Sequence, residues 1–122
     1  MKSQRTRLFR AVACVIANAM LAACDGAPGE AEFIAACMKE GESVVQQRRD
    51  RQMGVNRGAF CKCATQEAKA TLSADGQRAT LLSMQGKKEE ARAITAKKSD
   101  SEQEAHLKAG LQVMEKCLRG AQ

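Results

Sequence analysis

A chain of 122 residues, 28% of them charged and formally +6 in total, holds one small domain and excludes a catalytic cleft between two large ones. Four of the 20 bases (Lys2, Arg5, Arg7, Arg10) and none of the 14 acids lie before residue 24, so the remainder carries only +2. With no Trp or Tyr, and only Phe33 and Phe60 aromatic after residue 23, that remainder has neither the basic field nor the stacking platforms of a nucleic-acid binder.

The chain opens on a polar, basic stretch, Met1 to Arg10, followed by an uncharged run from Ala11 to Ala23. That is the anatomy of a secretory signal, and the run is too short for a membrane span of about 20 apolar residues. Leu21-Ala22-Ala23-Cys24 resembles the lipobox of bacterial lipoproteins. The resemblance implies cleavage before Cys24, attachment of diacylglycerol with palmitate-type chains to its thiol, and a lipid bilayer as partner; two or three chains make such anchoring stable. In enteric lipoproteins an Asp after the acylated Cys marks retention in the inner membrane, so Asp25 implies that membrane, facing the periplasm. The outer membrane remains the alternative for hosts that read other positions. Residues 1–23 are therefore expected to be a signal peptide, 24–30 the lipidated Cys and linker, and 31–122 the folded domain.

Past the Gly/Pro linker, apolar residues recur at helical steps. Phe33/Ile34, Cys37/Met38, Gly41 and Val44/Val45 predict a first helix from Glu30 to about Arg51, with acids at its start and arginines at its end. Gly54 to Gly58 is a break with Asn56 as cap, and a second helix is expected from Arg57 to about Leu72. Ser73-Ala-Asp-Gly76 reads as a turn and fresh start. A third helix carries Ala79, Leu81, Leu82 and Met84; it either ends at Gly86 or continues to Lys98. Ser101 with Glu104 forms a capping box for a last helix, whose stripe is Leu107, Leu111, Met114 and Leu118. No window alternates like a strand. The fold class is all-α: a small bundle of three to four helices after an N-terminal signal helix.

Of six cysteines, Cys14 leaves with the signal and Cys24 takes lipid. Cys37, Cys61, Cys63 and Cys117 remain, an even set that in an exported domain is read as two disulfides. Leu, Ile, Val and Phe make up only 14 of the last 99 residues, a thin core of the kind that disulfides rescue. Residues two apart on a helix point about 200° apart, so Cys61 and Cys63 flank opposite sides of one helix and cannot easily pair together. One bridge is expected from Cys37 to Cys61 or Cys63, the other from Cys117 to whichever is left. This arrangement resembles small exported helical proteins of proteobacteria, a resemblance that implies no activity.

Chemistry has few footholds. A thiol-redox reading would use Cys61-Lys62-Cys63, with one thiolate favoured by the adjacent lysine and the helix start. A Cu(I)-handling reading would add Met38, Met53, Met84, Met114 and His106 as soft or borderline ligands. Structural partners for both sulfurs and apolar positions for most of the methionines weigh against each. His106 is the only histidine and has no paired nucleophile, the carboxylates frame no pocket, and no phosphate-binding glycine loop is present. Neither a catalytic set, a resident metal nor a cofactor is therefore expected. Arg48-Arg49-Asp50-Arg51 suits a helix C-terminus, or else anionic head groups or an acidic partner. The leading expectation is a membrane-anchored, non-enzymatic envelope accessory with a protein partner; the alternative is a periplasmic redox or Cu(I) protein using Cys61 and Cys63.

Overall fold

The computed structural model describes residues 26–122, and every described element is helical. Six helices follow in order: α1 Glu30–Glu40, α2 Val44–Met53, α3 Arg57–Thr71, α4 Ala74–Met84, α5 Lys88–Thr95 and α6 Asp100–Gly120. The all-α, twice-stapled bundle is as expected, but two of the anticipated helices divide.

The first division overturns the single helix expected from Glu30 to Arg51. Gly41 closes α1, and Ser43 starts α2 by accepting the Gln46 N–H at 3.1 Å. A Cβ at Gly41 would stand 2.8 Å from Cγ of Arg57, so tertiary contact favours glycine there and turns the chain. The periodicity had continued into Val44 and Val45, yet these are 71% and 62% exposed. The second division settles the open alternative at Gly86. Its φ of 78° is left-handed, the Lys87 N–H reaches Leu82 O at 2.8 Å and the Gly86 N–H reaches Ser83 O at 3.1 Å, which together end α4 and leave α5 separate.

The other starts follow from side-chain caps. Asn56 accepts from the Ala59 N–H and Ser73 from the Gly76 N–H. The capping box of α6 is Ser99 with Glu102, not Ser101 with Glu104: Ser99 Oγ accepts the Glu102 N–H and the Glu102 carboxylate accepts the Ser99 N–H. Both pairs obey the same spacing; the earlier one prevails beside Lys98, which is held by Asp75 at 2.5 Å.

α3 is the hub, packed against α1 on one flank and α6 on the other, while α4 and α5 form a hairpin and α4 also touches α1. One core cluster centres on Phe60, Cys61, Val113 and Cys117, and another on Phe33, Ala36, Ala68 and Leu81, with Met84 packed against both. The buried polar side chains are satisfied: Thr65 donates to Cys61 O, and Gln77 donates to Leu72 O. The Asn56 N–H donates to Ala121 O at 2.9 Å, tying the end of the chain to the start of α3.

Candidate functional site

The two disulfides set the walls of the site. Cys37 joins Cys61 across Cα atoms 5.7 Å apart, and Cys63 joins Cys117 across 5.5 Å. α3 thus carries α1 on one side and α6 on the other, and these two outer helices share little direct contact. The gap between them is an apolar groove of about 480 Å³. Phe60, Ala64 and Ala68, four residues apart on α3, line its floor, and Phe33 and Cys37 of α1 line one wall. Leu107, Gly110, Leu111 and Met114 of α6 line the other. Nothing lies within 4 Å of where a Gly110 side chain would begin, so that position keeps the wall open.

The α6 stripe therefore does something other than expected. Leu107, Leu111 and Met114 are 63%, 62% and 47% exposed, and the residues that α6 buries are Val113 and Cys117. The helix carries two apolar stripes, one spent on the core and the other facing the groove. The sequence signal was there: Val113 and Cys117 share a four-residue step of their own, offset from the Leu/Met stripe. Met38, expected on a packed face, is 41% exposed, whereas Met84 is half-buried in the core.

One end of the groove is polar. Arg57 donates to both carboxylate oxygens of Asp50, at 2.9 and 2.5 Å, and lies 4.9 Å over the Phe60 ring. That guanidinium holds the Asp50 carboxyl below its ordinary value of 3.8, with the Gln46 amide adding to the effect against partial desolvation. This bidentate pair, the main polar tie of α2 to α3, was not read from the sequence, where Asp50 was only an interruption among arginines.

A second, smaller cavity of about 320 Å³ lies where α4 and α6 begin, lined by Gly76, Ile94, Thr95, Lys98 and His106 among others. His106 is half-buried there, and a Cβ on Gly76 would sit 2.9 Å from its Nδ1, so the glycine admits the imidazole. Asp75 is held below 3.8 by Lys98 first and Arg78 second, and Asp75 in turn holds Lys98 above its usual value. The charges around this cavity are thus already partnered.

Cys37, Cys61, Cys63 and Cys117 are brought together as the two bridges, in one of the two pairings anticipated. Cys61 and Cys117 are fully buried, while Cys63 is half-exposed. Cys24, Asp25 and the signal segment lie outside the described residues. Among the described residues no group of three or more His, Cys, Asp or Glu is placed to hold a metal ion, and no helix is long and apolar enough to cross a membrane. No protein-family model, no curated protein and no solved structure matches this chain.

Proposed function

We propose that this chain is a lipid-anchored envelope protein, tethered through Cys24 to the periplasmic face of the inner membrane, whose groove receives an apolar helix face of a protein partner. The basic stretch, apolar run and lipobox-like Leu21-Ala22-Ala23-Cys24 support the tether. The groove carries the interaction reading. Leu107, Leu111 and Met114 stand at helical i, i+4 and i+7 positions, largely exposed along one wall, in a domain with few large apolar residues to spare. Rigid walls that present leucine and methionine suit helix-in-groove recognition, in which the polarizable, adaptable thioether fits varied partners.

Two measurements test this proposal. Clickable fatty acid should label the natural chain and not Cys24→Ala; equal labelling of both removes the tether. A photo-crosslinker at Leu111 in native membranes should give one discrete adduct that is absent when the probe replaces exposed Lys62, about 200° around α3 from Phe60. The adduct should vanish with Leu107→Asp, a surface change that leaves the fold intact. Identical patterns from both probe sites remove the groove reading. Free-thiol counting separates this function from the redox or Cu(I) alternative, which needs Cys61 or Cys63 reduced.

A further inference from the structure

α2 is a helix whose conformation the core does not explain. None of its ten residues is buried, and its side-chain tie to the body runs through Asp50 to Arg57, with Gln46 donating to the same carboxylate from within the helix. At 100° per residue, Gln46, Asp50 and Met53 share the side that faces the domain. Val44, Val45, Arg48, Arg51 and Gln52 fall within roughly a third of the circumference on the opposite side. All five are exposed, the two valines by 71% and 62%, and no acid stands among them. Asp50, the one acid of the helix, is turned inward to Arg57 and Gln46. Glu40 and Glu42 precede the helix.

From this arrangement we infer that the outer face of α2 is a contact for an anionic phospholipid surface. Arg48 and Arg51 meet head-group phosphates, and Val44 and Val45 enter the boundary between head groups and acyl chains. Charge complementarity selects this occupant: a face with two arginines, two valines and no acid is attracted to an anionic leaflet and gains from shallow apolar burial there. The inference rests on the anchored reading only in that a tether at Cys24 keeps α2 near a bilayer. α1 spans about 16 Å between the linker and α2, so contact at both ends lays the domain along the membrane. One acylated end and one cationic face together supply two membrane signals.

Because the chain contains no Trp, Val45→Trp in the full-length protein is a single fluorescent reporter. It is reconstituted into vesicles of phosphatidylcholine, with or without phosphatidylglycerol, and probed with brominated lipid. Blue-shifted, quenched emission is expected with phosphatidylglycerol and solvent-like emission without it. Adding Arg48→Gln and Arg51→Gln should weaken docking by about thirtyfold, as expected for two basic side chains near an anionic surface. Glu104→Trp on α6 should remain solvent-like throughout. Emission at Val45→Trp that ignores phosphatidylglycerol or the two arginines, or equal quenching at Glu104→Trp, overturns the inference. The mass of the Cys24 peptide reads acylation independently: docking without acylation keeps this contact and removes the tether, and acylation without docking does the reverse.

Discussion

Replacing Cys63 and Cys117 together by alanine removes the bridge between α3 and α6 without leaving an odd thiol or a buried hydroxyl. The bridge spans 54 residues of sequence, and the chain-entropy model gives a loop of that length about 4.2 kcal/mol at 25 °C. Beyond the bridge, α6 is held by a short list of contacts near its C-terminal end, among them Leu118 and Ala121 packed against the core and the Asn56 N–H bond to Ala121 O. Of its 21 residues only Val113 and Cys117 are buried, and full burial of a valine is worth about 1.5–3 kcal/mol. The Lys116–Glu67 ion pair, at 2.6 Å but largely exposed on the lysine side, adds at most about 1 kcal/mol. Losing the staple therefore removes the largest single contribution to docking α6, out of a total stability of about 5–15 kcal/mol for a domain of this kind. Denaturant unfolding followed by helical circular dichroism should show a loss of about 4 kcal/mol, and protease should cut α6 before α1. A loss below about 1 kcal/mol, or cleavage that begins in α1, would refute this account of what holds the bundle.

Ser99→Ala should cost about 1 kcal/mol through the lost cap of α6, while Ser101→Ala stays near neutral; thermal melts of the two variants check the order. Phe60→Ala should cost about 3–5 kcal/mol in denaturant titrations, since the ring is buried in the core and also carries Arg57. The folded-state pKa of Asp50 is depressed, so its stabilisation is present above 3.8 and is lost as pH falls through the lower folded value. Acidification below 3.8 should therefore release α2 before α3, visible as changes in α2 amide resonances, and Asp50→Asn should abolish that step.

Much of this fold was legible because it rests on local geometry. Cys61 and Cys63 had to face different neighbours whatever surrounded them, and Asn56 and Ser73 cap helices through their own backbone. What stayed hidden depends on residues distant in sequence. Nothing near Gly41 announces that the Arg57 side chain will lie against it and leave no room for a Cβ. Hydrophobic spacing also cannot separate a stripe that fills a core from one that borders a groove, so Leu107, Leu111 and Met114 read as core although they remain exposed. Ser99 and Ser101 satisfied the same capping pattern, and spacing alone does not choose between them; the structure uses Ser99 with Glu102.

The placement of the bridges also determines how the domain would carry a pull. Tension between an N-terminal tether and the C-terminus would run along α1 to Cys37, cross to Cys61, pass Lys62, and cross again from Cys63 to Cys117. Most of α3, all of α4 and α5, and most of α6 lie inside the second closed loop and would feel none of it. The same is true of α2, which lies inside the first. The covalent path between the ends is short, so while both bridges stand stretching cannot draw out the groove floor on α3 or its wall on α6, and only the part of α1 before Cys37, Phe33 included, bears the load. A domain so braced can be pulled from either end and keep the floor and one wall of its groove in place.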